Sequence, residues 1–154
     1  MDRKDERLTE ARLGRYEDKL RHLRSYLEFV SERLGGGGAE SLLASGNTER
    51  ILAVYHAAQL LIEVTCDLSA MCVKDLGIGP KDDYTNFSTL VSQQVLPANL
   101  RADLRALKGL RNRIVHDYNG LVDEIALKEI ERRLPAVKPF EEAIRGWLKE
   151  KKSS

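Results

Sequence analysis

Apolar side chains recur at intervals of three and four along the first part of the chain. The positions are Leu13, Tyr16, Leu20, Leu23, Leu27, Val30 and Leu34. Mostly charged residues lie between them, which predicts an amphipathic helix with one apolar face. Four successive glycines, residues 35–38, should end this helix and form a flexible loop. The apolar face serves either the core of a bundle or a dimer interface, and we expect the core.

A second apolar pattern covers about residues 48–76 and is wider than the first. Its main stripe consists of Ile51, Val54, Ala58, Leu61, Leu68 and Cys72. A helix with so broad an apolar face is expected to lie at the centre of a bundle, with neighbours on more than one side. Thr48 is the predicted N-cap, and Gly77 with the Gly79-Pro80 pair predicts the end of the helix.

Three further segments complete the predicted bundle. A third helix is predicted over about 84–94, and a fourth over about 97–117, with a proline in its first turn. A fifth segment covers about 123–151, where Pro135 and Pro139 should kink or split it. The fold class predicted from these patterns is all-α, an antiparallel bundle of four to five helices.

The length of 154 residues is enough for one domain with a proper core. We predict a single helical domain over 13–151 after a charged extension over 1–12. The extension lacks the apolar stretch of a secretory signal and no apolar run could span a bilayer, so we expect a cytoplasmic protein without membrane contact. Cys66 and Cys72 fall on different faces of one predicted helix, so we expect buried free thiols. No Cys or His cluster has metal-ligand spacing, and we predict neither metal nor cofactor.

A polar ridge follows the fourth predicted helix and leads to a histidine. It consists of Arg101, Arg105, Lys108, Asn112 and His116, spaced by four, three, four and four positions. Such a ridge is either an ordinary solvated helix face or a local surface that binds phosphates. Because the formal net charge of the chain is only +1, contact with RNA must come from a local patch of this kind. We therefore take Arg105, Lys108 and the nearby Arg113 as candidate RNA-phosphate ligands.

The end of the same helix carries the octet RNRIVHDY, residues 111–118. Arg111 and His116 combine a fixed cation with a side chain of the type that titrates near neutrality, as cleavage of a phosphodiester without a metal requires. Asn112 lies one turn before His116 and can orient it or the phosphate. For an isolated histidine near a helix end, a capping or dipole role is the more common use, and for an isolated Tyr118 a core or capping role.

RNA supplies its own nucleophile, the 2′-hydroxyl, so the protein needs only an acid, a base and positive charge at the phosphate. The expected products are a 2′,3′-cyclic phosphate and a 5′-hydroxyl. On an ideal helix, however, Arg111 and His116 point roughly 140° apart. The arginine must therefore reach the histidine through its long side chain or a loosened last turn, or two copies of the chain must face each other.

The octet resembles the R-N-x-x-x-H-x-Y signature of the HEPN domains, in the form found in HepT-like toxins that are encoded beside a minimal nucleotidyltransferase. The resemblance extends to the long first helix, the apolar second helix, the Gly-Pro turn before Tyr84 and the Leu96-Pro97 pair. It implies a HEPN-like homodimer with its active groove between the two motif helices. It also implies the toxin of a type VII-like toxin–antitoxin pair that acts as a metal-independent endoribonuclease.

The resemblance assigns a role to each motif residue. Arg111 and His116 would be catalytic, with Asn112 in support. Tyr118 would accept AMP from an MntA-like nucleotidyltransferase antitoxin, which would block the groove. Two other functions stay open: a non-catalytic subunit that binds nucleotide or substrate for a nucleotidyltransferase, and a purely structural dimerisation bundle. The remaining histidines, His22 and His56, are interpreted as structural.

Overall fold

The chain is helical throughout most of the part that the computed structural model describes, residues 7–117 and 120–153. The α-helices of that part are α1 (Glu10–Leu34), α2 (Gly38–Ser45), α3 (Thr48–Asp75), α4 (Asp83–Ser92), α5 (Arg101–His116), α6 (Asp123–Arg133) and α7 (Val137–Ser153). Short 3₁₀ turns, Ala98–Leu100 and Leu134–Ala136, lead into α5 and α7. The predicted all-α fold is confirmed.

Polar contacts between α1 and α3 show that these two helices run antiparallel. Near the start of α1, Arg12 and Tyr16 both donate to the carboxylate of Asp75 at the end of α3, at 2.8 and 2.6 Å. One turn further along α1, Lys19 pairs with Asp67, which lies two turns earlier on α3, at 2.9 Å. These contacts fix the register of the two longest helices, while apolar burial between them supplies most of the stabilisation.

The helices α5 and α6 form a second antiparallel pair. Arg133 at the end of α6 binds Asp103 at the start of α5 at 2.7 Å, so these helices are antiparallel. At the other end of α6, the Tyr55 hydroxyl of α3 donates to the carboxylate of Asp123. Burial, followed by this hydrogen bond, raises the pKa of Tyr55. One end of the bundle therefore brings together the start of α3, the end of α5 and the start of α6.

The apolar face of α1 belongs to the core of the chain itself, as we expected. Its buried members are Tyr16, Leu20, Leu23, Val30 and Leu34, and Leu13 and Leu27 pack against them. The central position predicted for α3 is also confirmed, because it contacts α1, α4 and α5. By length and composition α3 would pass as a membrane span, but 61% of its most apolar stretch is buried in the bundle. Its apolarity is that of a core helix.

The four-glycine segment departs from our expectation of a flexible loop. Gly38 begins a further helix, α2, whose backbone N–H at Ala39 donates to the carboxylate of Glu131 from α6. Gly35 and Gly38 have φ angles of 68° and 65°, in the left-handed region that favours glycine. The glycines therefore make a tight connection from α1 to α2, and the contact that orders it comes from residues far along the chain.

The start of α3 also differs from the prediction. The N-cap of α3 is Asn47, whose side chain accepts from the N–H of Arg50 at 3.1 Å, and Thr48 is the first helical residue. Either side chain can cap a helix, so sequence alone did not decide between neighbours.

The fifth segment is split at Pro135, as expected. Pro139 lies in the first turn of α7, where the missing N–H does not break a helix.

The start of α1 overlaps the predicted extension. Thr9 caps the helix by accepting from the N–H of Arg12 at 3.1 Å, and Leu8 packs against the core. The helix therefore takes in the last of residues 1–12, while residues 1–6 lie outside the described residues. The division into an extension and one domain over 13–151 stays a prediction.

Both cysteines are free and buried, as predicted. Burial, chiefly, raises the pKa of the Cys66 and Cys72 thiols to about 12 in each case. The thiols therefore stay protonated near neutral pH and behave as small apolar side chains, not as nucleophiles.

The buried carboxylate of Glu141 is the clearest source of pH-dependent stability. Burial alone would raise its pKa, but hydrogen bonds from Arg145 and Arg24, at 2.8 and 2.7 Å, outweigh burial and hold the pKa below its ordinary value. The unfolded chain lacks these bonds, so they stabilise the fold at pH values above the ordinary pKa of a carboxyl group. This stabilisation is lost as pH falls through the lowered pKa of Glu141.

We expect Glu141→Gln to lower the free energy of unfolding by roughly 1–3 kcal/mol at pH 7, because two charge-assisted hydrogen bonds lose their charge. The difference from the parent should shrink as pH falls below about 4. Urea unfolding at a series of pH values measures both effects. Glu142→Gln, at the exposed neighbour, is the matched control and should change stability little. A pH-independent loss in Glu141→Gln would contradict this account.

Candidate active site at the end of α5

The apolar stripe of α5 determines which way its polar side chains point. Leu104, Leu107, Leu110 and Ile114 are buried against the bundle, as the spacing predicted. The helix stays regular to His116, and the N–H of Asp117 donates to the carbonyl of Arg113 at 2.9 Å. The last turn is therefore not loosened, and His116 is exposed at the end of the helix.

Arg111 points towards α3. Its Nε and Nη2 atoms both donate to Oε1 of Glu63, at 3.2 and 2.9 Å. Gln59, one turn earlier on α3, donates its Nε2 to the same oxygen at 3.2 Å. The side chains of Arg111 and Glu63 are 23% and 35% exposed, so solvent and a ligand can still reach the pair. The catalytic candidate is thus part of an arranged polar cluster.

Two of the predicted phosphate ligands contact α4 instead of extending freely into solvent. Lys108 pairs with Asp83 at 2.8 Å, and its side chain is only 18% exposed. The guanidinium carbon of Arg105 lies 4.9 Å from the centre of the Tyr84 ring, in a cation–π contact. Acids are scarce on α5 itself, and neighbouring helices supply them. The ridge is therefore less basic than its own sequence suggests.

Arg113 differs from these two residues. It is exposed and forms no ion pair with any of the described residues. Asn112 is half-buried one turn before His116. Of the predicted site residues, Tyr118 lies outside the described residues, so its role stays a prediction.

Within one chain, Arg111 and His116 do not converge on one point. Five residues of regular helix put their Cα atoms about 9 Å apart and on faces roughly 140° from each other. Because the last turn of α5 is regular, only two of the three arrangements considered from sequence remain. Either the arginine leaves α3 to reach round the helix, or two copies of the chain complete the site between them.

A cavity of about 410 Å³ lies between α3, α4 and α5 beside this cluster. It is lined by Ile62, Glu63, Cys66, Asp67, Asp83, Lys108 and Arg111. In the described part of the chain, no three His, Cys, Asp or Glu side chains are grouped as metal ligands. The arrangement can therefore offer a phosphate a guanidinium and an ammonium group, each already paired with a carboxylate.

Exposed apolar side chains lie on α3 and α6, two of the elements that meet at this end of the bundle. Among the described residues, the large apolar side chains that remain exposed are Leu52, Val122 and Ile125, at 60%, 55% and 66%. Leu52 is at the start of α3, and the other two flank the start of α6. His56, which we interpreted as structural, is exposed one turn after Leu52. The sequence gives no signal for Glu63 and Asp83, because no spacing in the chain connects them with α5.

Comparison with known proteins agrees with the motif and the fold. The family model for ribonucleases of the HepT-like type matches residues 23–144. A candidate RNase of Archaeoglobus fulgidus is 36% identical over 123 residues, which cover 80% of this chain and 83% of that protein. A candidate RNase of Methanocaldococcus jannaschii is 38% identical over 79 residues, which cover 51% of this chain and 86% of that protein.

Solved structures show the same fold at low sequence identity. The tri-AMPylated HEPN toxin of Shewanella oneidensis, solved in complex with an MNT antitoxin, has a TM-score of 0.73 and 18% identity over 90% of this chain and 99% of its own. YutE of Bacillus subtilis, a cytosolic protein of unknown function, has a TM-score of 0.76 and 18% identity over 89% of this chain and 90% of its own. With a family match over most of its length, this chain belongs to the HepT-like ribonuclease family.

Proposed function

We propose that this protein is the toxin of a type VII-like toxin–antitoxin pair and that it cleaves RNA without a metal. The observation that carries the proposal is the presence of Arg111 and His116 on one regular helix, in a chain of the HepT-like family. Two relatives that share more than a third of the aligned residues carry RNase names. The metal-independent mechanism and the individual residue roles are part of our proposal.

The proposed reaction transfers two protons and breaks one bond. A base takes the proton of the 2′-hydroxyl, whose oxygen then attacks the adjacent phosphorus. The bond to the 5′-oxygen breaks, and an acid protonates that oxygen, which leaves a 2′,3′-cyclic phosphate and a 5′-hydroxyl. His116 acts as acid or base, and Arg111 stabilises the added charge on the phosphate. Asn112 supports this site by orienting His116 or the phosphate.

In a homodimer, Arg111 and His116 could meet although they point apart within one chain. Two α5 helices that face each other would place the arginine of one copy near the histidine of the other, and would give the groove two histidines, one for each proton transfer. The exposed Leu52, Val122 and Ile125 beside the end of α5 suit a protein interface in this region. The groove would bind RNA through Arg113, with smaller contributions from Arg105 and Lys108.

The proposed antitoxin is an MntA-like minimal nucleotidyltransferase. Solved structures of similar fold include a toxin–antitoxin complex with AMP-PNP and the AMPylated toxin of Shewanella oneidensis with its MNT antitoxin. On this chain, Tyr118 is the proposed acceptor of AMP, two positions after His116. An added nucleotide there would place bulk and negative charge at the groove. We place the pair in the cytoplasm, where its RNA substrate is found.

The rival function is a non-catalytic subunit that binds nucleotide or substrate for a nucleotidyltransferase. Arg111 and His116 would then hold a nucleotide phosphate without cleaving anything. The paired state of Arg111 and Lys108 is compatible with such binding. Activity of the isolated chain separates the two functions.

We expect the unmodified protein to cleave a defined RNA in EDTA and to leave cyclic-phosphate ends, because no step requires a metal. Arg111→Ala and His116→Ala should each lower the rate by at least about 100-fold, while helix content and dimerisation stay unchanged. His22→Ala, at an exposed histidine of α1, is the matched control and should cut at the parent rate. Parent-like cutting by either motif variant would remove its catalytic role. If the protein fails to cut RNA although its mass shows that it carries no nucleotide, the result favours the function as a non-catalytic subunit.

The three RNA-phosphate candidates should differ in strength. Because Arg113 has no described ionic partner, Arg113→Ala should reduce by about one the slope of log affinity for an uncleavable RNA against log salt. Lys108→Ala should reduce it less, since Asp83 already compensates its charge. Arg21→Ala on α1 serves as the control. If Arg113→Ala and Arg21→Ala changed the salt slope equally, RNA would not bind at this end of α5.

Incubation with the cognate nucleotidyltransferase and ATP should add mass in AMP-sized steps to the parent and not to Tyr118→Phe. The reason is that phenylalanine lacks the phenolic oxygen that would attack the α-phosphorus of ATP and displace pyrophosphate. Intact-mass spectrometry gives the answer directly. Tyr26→Phe, on α1, is the control and should label like the parent. Equal labelling of Tyr118→Phe would exclude Tyr118 as the acceptor.

A further inference from the structure

The carboxylate of Glu63 holds the guanidinium of Arg111 in one orientation. We propose that Glu63 is a positioning residue, which fixes the guanidinium of Arg111 so that its unoccupied edge receives the scissile phosphate. The proposal rests on the ribonuclease function proposed above. It concerns a residue on α3, outside the motif and far from it in sequence.

The atoms of the contact decide which edge of the guanidinium is used. The Nε–H and one Nη2–H point at Oε1 of Glu63, at 3.2 and 2.9 Å. A guanidinium has five N–H donors in a fixed plane. The second Nη2–H and both Nη1–H groups are therefore bonded to none of the described residues. Two of these donors form the Nη1–Nη2 edge, which Glu63 leaves unoccupied and which can bind two phosphate oxygens at once.

Glu63 is itself held in place from its own helix. Gln59 lies four residues earlier on α3 and donates its amide to Oε1 at 3.2 Å. One carboxylate oxygen thus accepts three N–H groups, two from Arg111 and one from Gln59. Such a chain of contacts from a rigid helix limits the rotation of a long arginine side chain, as outer partners of catalytic groups commonly do.

The exposure of the pair argues against a mainly stabilising role. Both side chains are partly accessible, 23% for Arg111 and 35% for Glu63, and ion pairs of this kind contribute little to folding. Glu63 also reduces the positive charge that a phosphate meets. If charge compensation were its whole effect, its removal would strengthen RNA binding and speed cleavage. A positioning role predicts the opposite for the cleavage rate.

The test separates rate from affinity. Glu63→Ala should lower the single-turnover rate at saturating RNA by about 10- to 100-fold, because a phosphate contact misplaced by about 1 Å costs that much. Its Kd for a 2′-O-methyl RNA, which cannot be cut, should stay within about threefold of the parent or become tighter, since a negative charge has been removed. Glu63→Gln keeps an acceptor oxygen at the same place and should recover most of the lost rate.

Matched variants distinguish positioning from general damage. Glu129 on α6 binds the Nε of Arg133 at 2.8 Å, so Glu129→Ala also breaks a carboxylate–arginine pair but should cut at the parent rate. Gln59→Ala leaves Glu63 in place without its support and should lower the rate by a smaller factor. Thermal unfolding shows whether each variant is folded at the assay temperature. If Glu63→Ala is unfolded there, Glu63→Gln replaces it in the test.

Each outcome gives a decision. A slow Glu63→Ala that still binds the uncleavable RNA, with recovery in Glu63→Gln, supports positioning. If the parent cuts and Glu63→Ala cuts as fast or faster, the positioning role is overturned while the ribonuclease function stands. If Glu63→Ala is slow only because it no longer binds RNA, Glu63 shapes the binding surface and the proposal also fails. A parent that does not cut RNA at all removes the ribonuclease function and this role with it.

Discussion

The packing of the apolar stripe of α5 against the bundle is the constraint on which the candidate site depends. Leu104, Leu107 and Leu110 are each at most 3% exposed. Their burial fixes the rotation of the helix about its axis. Once that rotation is set, Arg111 must face α3 and His116 must lie in solvent. A helix rotated by one residue, about 100°, would turn both side chains away from these directions and expose apolar surface. That exposure costs more than a single polar contact contributes.

The charges around the site follow from the same packing. The cations of α5 have few acids on their own helix, and an isolated α5 would be strongly basic. In the bundle, α3 and α4 supply Glu63 to Arg111 and Asp83 to Lys108. The candidate site therefore combines cations with carboxylates that hold two of them in place. Arg113, which has no ionic partner among the described residues, carries the uncompensated charge at the end of the helix.

The fold of this chain is shared with solved structures at low sequence identity, and the physics of helix packing explains why. A bundle of this kind requires apolar residues at helical spacing more than it requires particular apolar residues, so the fold persists at 17–19% identity. The chemistry is less tolerant, because a guanidinium and an imidazole cannot be exchanged for other side chains. In the function that we propose, the short octet at the end of α5 carries the chemistry, and the apolar stripes carry the fold.

The sequence by itself determined the helical periods, the core residues, the split at Pro135 and the octet, because each depends on residues within a few turns of one another. The short helix α2, the choice of Asn47 over Thr48 as a cap, and the partners of Arg111 and Lys108 were decided only by the tertiary structure. Glu131 reaches Ala39 from 92 positions away and Glu63 reaches Arg111 from 48 positions away, distances at which no local spacing carries a signal. Contacts of that range exist only after the apolar stripes have brought the helices together.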